Sequence, residues 1–246
     1  MTSRQKRADR LLVERGLFES RTKAQAAIAA GLVTADDVPV RKASDEITLS
    51  AALRARPAHP WVSRGGVKLA AALDHFGFDP RGRVCLDVGA STGGFSEVLL
   101  HRGATRVYAV DVGRAQLHPS LRQHPGMLSF EGTDIRDLDP ARLPAPPAFA
   151  VIDVSFVSLK LVLSPALALV RPPARLVALI KPQFEAGRRH LKKGIVRDPQ
   201  VHAGVCDGIA MFVSSLGWIV SGIIPSPIAG GDGNREFLLG AVRDKD

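Results

Sequence analysis

The stretch Arg83-Val-Cys-Leu-Asp87-Val-Gly89-Ala90-Ser91-Thr92-Gly93-Gly94-Phe-Ser-Glu97 places an acid and three glycines where an apolar run gives way to a helical pattern. A strand, a tight loop and a helix N-terminus in that order cradle a nucleotide-like ligand, because glycine lets the backbone approach it closely. Asp111 lies 22 residues beyond Gly89, at the end of the next apolar run. An acid at that point reaches the ribose hydroxyls of an adenosine moiety. Further charged residues flank later apolar runs: Asp153 after Val151-Ile152, Lys181 after Leu179-Ile180, and Glu236 before Phe237-Leu238. With Lys68, these residue types suit the removal of a proton from a weakly acidic hydroxyl.

The loop does not fit the dinucleotide pattern G-x-G-x-x-G, because Ser91 stands where its middle glycine belongs. The acid two residues before Gly89 instead suits the D/E-x-G-x-G-x-G turn of S-adenosylmethionine-dependent methyltransferases. That pattern also wants glycine at 91. For the loop taken alone, a structural turn in another α/β protein is the alternative.

The elements that must position these groups follow from periodicity. Residues 8–15 and 21–30 read as two short helices, the second capped by Ser20, with Gly16 and Gly31 as stops. Residues 32–34 and 38–40 suggest a hairpin, with 47–49 as its third strand. Pro57 and Pro60 stiffen a linker in which Trp61-Val62 packs on a neighbour. Beyond it we expect helices at 66–76, 93–102, 113–123, 158–170 and 199–215. Strands are expected at 83–88, 106–111, 127–131, 149–153, 175–180, 217–224 and 235–242. Alternating strands and helices imply a parallel, doubly wound sheet. Only 225–234 joins the last two strands, too short for a parallel crossover, so the last strand must be reversed. Domains are accordingly expected at 1–55 and 65–246, joined by a linker at 56–64.

In such a sheet ligands sit beyond the carboxyl ends of the parallel strands. Asp153 and Lys181 end strands there, and reversal of the last strand brings Glu236 to the same edge. The helix at 66–76 runs antiparallel to the first strand, which brings Lys68 there too. Each alone has an ordinary explanation as a cap or a solvated strand end; four at one edge suggest a site. Lys181 would accept the hydroxyl's proton, aided by a second cation and partial burial, which favour a neutral amine. Lys68 would steer the hydroxyl, while Asp153 and Glu236 orient the lysines. Asp153-Val-Ser-Phe156 lacks the N/D-P-P-aromatic stretch usual for attack on exocyclic amines. Cys85 lies inside a strand, badly placed as a nucleophile toward pyrimidine carbon. A sugar 2′-oxygen is the better target.

The chain of 246 residues has a formal charge of +9 and 46% hydrophobic residues, which gives a packed core and a polyanionic partner. Residues 1–30 carry seven basic residues against three acids, and 181–200 carry six against two. Arg4, Arg7, Arg10, Arg21 and Lys23 in the first cluster, and Arg188, Arg189, Lys192 and Lys193 in the second, are the candidate RNA contacts. Two solvated faces are the plainer alternative. No apolar run approaches membrane-spanning length and no signal peptide is evident, so a cytoplasmic protein is expected. Cys85 and Cys206 read as buried free thiols, and neither they nor the histidines show a metal-ligand spacing.

Taken together, Val62-Ser-Arg-Gly-Gly-Val-Lys68-Leu, the loop from Asp87, Val110-Asp111-Val-Gly, Asp153-Val-Ser-Phe-Val-Ser-Leu-Lys160, Ile180-Lys-Pro-Gln-Phe-Glu-Ala-Gly-Arg188, Gly194-Ile-Val-Arg-Asp-Pro199 and Gly233-Asn-Arg-Glu236-Phe resemble the TlyA-type (haemolysin A) family of RNA 2′-O-methyltransferases. The resemblance implies a class I methyltransferase fold, Rossmann-like and seven-stranded with a reversed last strand. It implies S-adenosylmethionine as cofactor, a serine at 91 as ordinary, and a catalytic tetrad falling on Lys68, Asp153, Lys181 and Glu236. The cofactor would contact Asp87, Gly89, Ala90, Ser91, Thr92, Gly93, Gly94, Asp111, Val112, Asp134 and Ile135, with Asp134 on the adenine amino group. Arg7-Ala-Asp9-Arg10-Leu-Leu and Ser20-Arg21-Thr-Lys23-Ala resemble the small αL (S4-like) RNA-binding module, from which Asp36-Asp37 departs because Asn-Gly is common in its turn. The expected partner is ribosomal RNA or a ribosomal subunit, with no membrane and no metal; the sequence leaves the oligomeric state open, a monomer being favoured. A non-catalytic ribosome-assembly protein and a cytolysin are the competing readings.

Overall fold

The computed structural model describes residues 4–231 and 233–245. The chain divides into two compact units, Met1–Pro60 and Trp61–Asp246. In the first unit β1 (Gln5–Arg7) leads into α1 (Ala8–Glu14) and α2 (Arg21–Ala29), followed by β2 (Val33–Ala35), β3 (Val38–Pro39), β4 (Glu46–Thr48) and β5 (Leu53–Ala55). Ser20 caps α2, its side chain accepting from the Lys23 amide. The helices close over Leu11, Leu12, Phe18, Ile28 and Val33, a small but continuous apolar core.

The strand pairing here differs from the sequence expectation. The hairpin forms, but β5 is its third strand, and β4 pairs antiparallel with β1 instead. Asp36 and Asp37 both take the left-handed conformation, with φ of 48° and 62°. Aspartate tolerates that region better than most residues. The Asp36 carboxylate accepts from the Ala52 amide at 2.8 Å, tying the turn to the chain before β5. The turn is therefore tight without asparagine or glycine.

The second unit carries α3 (Arg64–Phe76), β6 (Val84–Val88), α4 (Gly94–His101), β7 (Arg106–Asp111), α5 (Pro119–Arg122), β8 (Met127–Glu131), β9 (Phe149–Ile152), α6 (Leu159–Ala168), β10 (Ala174–Ile180), α7 (Pro182–Glu185), α8 (Pro199–Ser215), β11 (Ile219–Pro225) and β12 (Phe237–Arg243). The seven strands form one sheet in the order β11-β12-β10-β9-β6-β7-β8. All are parallel except β12, which runs antiparallel to both its neighbours, β10 and β11. Helix α5 is much shorter than the expected 113–123, because residues 112–118 wrap as a loop before Pro119 starts it.

Strands buried on both faces alternate side chains between two cores. Leu86, Val88, Ile152 and Leu176 pack against α6 and α8. Cys85, Phe149, Val151 and Val177 pack against α3 and α4. The chain moves outward from β6 through β7 to β8, then returns to β9 on the other side of β6. That reversal opens a crevice between the ends of β6 and β9.

Trp61 and Val62, at the end of the expected linker, pack within the second unit as their apolar side chains suggested. The Trp61 ring lies edge-on to His101, and the Val62 amide donates to Glu97 at 2.5 Å. Trp61 also fixes residue 66 as glycine, since a Cβ there would lie 2.4 Å from the indole. No described helix is long and apolar enough to cross a membrane.

Candidate active site

The glycine turn leaves β6 at the crevice. Gly89 has φ of 83°, and a Cβ on it would lie 2.3 Å from the Asp153 carbonyl oxygen, so only glycine lets the turn lie against the end of β9. The Asp153 amide in turn donates to Val88 O at 2.9 Å, extending the ladder by one rung. Gly94 is equally constrained, because a Cβ would strike the Ser63 hydroxyl at 2.1 Å where α3 and α4 begin side by side.

The turn opens onto a cleft of about 510 Å³. Apolar side chains of Val88, Val110, Val112, Ile135, Val154 and Val162 form its walls, and Ser91, Asp111, Gln116, Asp134 and Ser155 bring polar atoms to its edges. Such a volume and lining suit a nucleoside-sized ligand with an apolar body and a few fixed polar groups. Gly89, Ser91, Asp111, Val112, Asp134 and Ile135 thus lie together at the cleft. Ala90, Thr92, Gly93 and Gly94 shape the turn and the start of α4 without lining it.

Both acids beside the turn are engaged. Asp111 accepts from the Ser91 amide and from the Gly113 amide, each at 2.7 Å. It thereby ties the end of β7 to the glycine turn. Asp134 accepts from the Arg136 amide at 2.9 Å and from its guanidinium at 2.6 and 3.0 Å. The Arg136 guanidinium holds the Asp134 carboxyl below its usual range.

Asp87 stands apart from the cleft. Period-two alternation turns it to the same face as Cys85, toward α4, where it is fully buried. One carboxylate oxygen accepts from the Ser96 hydroxyl at 2.6 Å, and the other has no hydrogen-bond partner among the described residues. Desolvation pushes its pKa up to about 7, and the charges of Asp153 and Asp111 add to the effect. Asp87 therefore acts on the turn from behind. Burial also pushes the Cys85 thiol up to about 12, which leaves it inert as a nucleophile.

The four candidate catalytic residues sort into two ion pairs. Lys181, just past β10, places Nζ 2.5 Å from Asp153 Oδ1 and donates to Ser155 Oγ at 2.8 Å. Lys68, on the buried face of α3, pairs with Glu236 just before β12. Asn234 steadies the chain before Glu236, accepting from the Val196 amide at 3.2 Å and donating to Gly194 O at 3.0 Å.

Three cleft residues escaped the sequence reading. Ser155 holds Lys181. Gln116 accepts from the Ser91 hydroxyl at 3.1 Å, on a loop whose amides at 116 and 117 donate to Glu131. Phe156 is 91% exposed in a left-handed conformation, its ring 5.1 Å from that of Phe184. The signal for Phe156 was an aromatic three residues after the strand-end acid.

Of the basic candidates, Arg188, Arg189, Lys192 and Lys193 are exposed on the segment between α7 and α8, as are Arg4 and Arg10 in the first unit. Lys23 pairs with Glu19 at 2.6 Å, and Arg7 and Arg21 both donate to Asp9.

A glycine turn at the switch point of a doubly wound sheet whose last strand is reversed defines a class I methyltransferase. Residues 61–243 match the FtsJ-like methyltransferase family and 6–52 match the S4 domain. The chain is 42% identical to the 16S/23S rRNA (cytidine-2′-O)-methyltransferase TlyA of Mycobacterium tuberculosis over 240 residues, 96% of this chain and 90% of that one. A candidate rRNA methyltransferase of Bacillus subtilis is 46% identical over 97% of this chain and 86% of its own. The structure of a candidate hemolysin from Streptococcus thermophilus superposes with a TM-score of 0.78 at 39% identity, over 99% of this chain and 90% of that one. The chain belongs to the TlyA (hemolysin A) family of FtsJ-like methyltransferases.

Proposed function

We propose that this protein transfers a methyl group from S-adenosylmethionine to a ribose 2′-oxygen of ribosomal RNA. The observation that carries the reading is the Lys181 amine, held by Asp153 and Ser155, both of which line the nucleoside-sized cleft. Gly89, Ser91, Asp111, Val112, Asp134 and Ile135 would hold the cofactor, which supplies an electrophilic methyl on a sulfonium. Lys181, once it has released a proton of its own to solvent, takes the proton of the 2′-hydroxyl, and Asp153 and Ser155 fix its Nζ at the required point. Lys68, locked to Glu236 at the neighbouring strand end, orients the ribose. Positioning and fixed charge provide most of the acceleration in such a site.

Phe156 and Phe184 present aromatic faces beside the reacting edge, where an unstacked base would rest. The cytidine-2′-O activity named for the Mycobacterium relative supports ribosomal RNA as the substrate. The first unit supplies RNA affinity and no chemistry, and the catalytic domain that follows it takes in Trp61 and Val62. The inert Cys85 thiol argues against covalent attack on a pyrimidine carbon.

The test is to incubate unmethylated ribosomal subunits with the protein and methyl-labelled S-adenosylmethionine, then map the label on the RNA. Label on ribose, seen as nucleotide linkages that resist alkaline hydrolysis, is the expected result. Label on a base, or none on either subunit, would overturn the proposal.

A further inference from the structure

One buried carboxylate in the first unit takes no part in this chemistry. Asp9, in the first turn of α1, has no solvent-exposed surface. Its oxygens receive N–H groups from three side chains. Arg7 donates through Nε at 3.1 Å and Nη2 at 3.2 Å. Arg21 donates through Nε at 3.1 Å and Nη2 at 2.7 Å, and Gln25 through Nε2 at 2.8 Å. The Arg7 guanidinium first, then Arg21 and Gln25, hold the Asp9 carboxyl well below the usual carboxylate range. It is therefore ionised at any pH where the protein works.

A buried charge is costly unless fully paired, and here the pairing is what matters. Arg7 immediately precedes α1 and Arg21 opens α2, so one carboxylate ties the starts of both helices. Each guanidinium gives only its Nε–Nη2 edge to Asp9. The Nη1 groups remain available on side chains that are 39% and 49% exposed. Two guanidiniums held by one carboxylate leave a net positive charge in a fixed geometry. Free arginines would repel each other and lose rotamer freedom on meeting a phosphate. Held this way, they meet that cost on folding instead.

We propose that Asp9 is a positioning residue for RNA, holding Arg7 and Arg21 as a rigid pair that clamps the phosphate backbone. The proposal rests on the reading that the first unit binds ribosomal RNA. It has a consequence opposite in sign to simple charge counting. Removing a negative charge from a polyanion-binding face should tighten binding, whereas here it should weaken it.

The test measures affinity for purified ribosomal subunits across a salt series. Asp9→Asn keeps the volume but replaces one acceptor oxygen with a donor. It should bind roughly tenfold or more weakly, since charge-assisted contacts are lost. The slope of log K against log salt should become shallower by roughly one to two, as phosphates lose their partners. Arg21→Lys, which preserves charge but cannot chelate the carboxylate, should show a similar loss. Adding Asp9→Asn to the Arg7→Ala/Arg21→Ala double variant should change little further, because the residues act as one unit.

Equal or tighter binding by Asp9→Asn, or weaker binding at an unchanged salt slope, would overturn the positioning role. If the double arginine variant binds as the wild type does, the reading of these arginines as RNA contacts fails instead. Should Asp9→Asn unfold the first unit, Arg21→Lys decides: full affinity overturns the proposal, and a loss supports it.

Discussion

Replacing Asp87 by asparagine tests how the glycine turn is supported from behind. The carboxyl is sealed between β6 and α4 with a single donor, Ser96, and its pKa is raised to about 7 chiefly by desolvation. In an unfolded chain an aspartate titrates near ~3.9. The folded state therefore keeps a proton that the unfolded chain releases, so this group's contribution to stability is largest in acid. It declines as pH rises and levels off above the folded value. A gap of roughly three units amounts to about 4 kcal/mol in full, of which about 2–3 kcal/mol falls between pH 5 and 8. Asparagine has nearly the same shape and accepts from Ser96, but it does not titrate. Its amide would lack a partner at the second oxygen's position, a penalty of about 1–3 kcal/mol at every pH. The informative quantity is thus the change with pH rather than the absolute difference. Both tryptophans, Trp61 and Trp218, lie in the second unit, so their fluorescence during urea unfolding reports on that unit alone. Relative to Asp87→Asn, the wild type should lose about 2–3 kcal/mol from pH 5 to pH 8. Parallel stability curves for the two proteins would refute a raised Asp87 pKa and the account of the turn built on it.

Lys181→Arg should reduce single-turnover methyl transfer below about a tenth of wild type, because a guanidinium stays protonated at any usable pH. Retention of more than that would leave Lys181 only a positioning role. Asp111→Ala removes the acceptor of both the Ser91 and the Gly113 amides. Calorimetry should show S-adenosylmethionine binding weakened by about 1.5–3 kcal/mol, and unchanged affinity would detach this acid from the cofactor site. Gly89→Ala forces a Cβ to within 2.3 Å of the Asp153 carbonyl at a left-handed φ. It should destabilise the second unit by at least about 2 kcal/mol in urea unfolding; a loss of a few tenths would mean the two strand ends separate at little cost.

Much of this architecture was legible in the sequence because it follows from local periodicity and chain direction. The glycine turn after β6 announced itself by residue type. The short connection at 225–234 required a reversed last strand, and that reversal alone brought Glu236 to the edge bearing Asp153 and Lys181. What spacing could not reveal was which charges meet. Lys68 pairs with Glu236, 168 residues away, while Lys181 takes Asp153 and Ser155, a choice made by how α3 and β12 pack on the sheet. Likewise β4 pairs with β1 rather than extending the hairpin, since a three-residue strand carries too little pattern to specify its neighbour. Asp87 reads as a ligand contact in a motif, yet alternation along β6 and the cover provided by α4 bury it. Phe156 follows the strand-end acid Asp153 by three residues, but only its left-handed backbone turns it outward. Periodicity sets which face a side chain takes; desolvation and long-range packing decide what it finds there, and only the tertiary structure carries those.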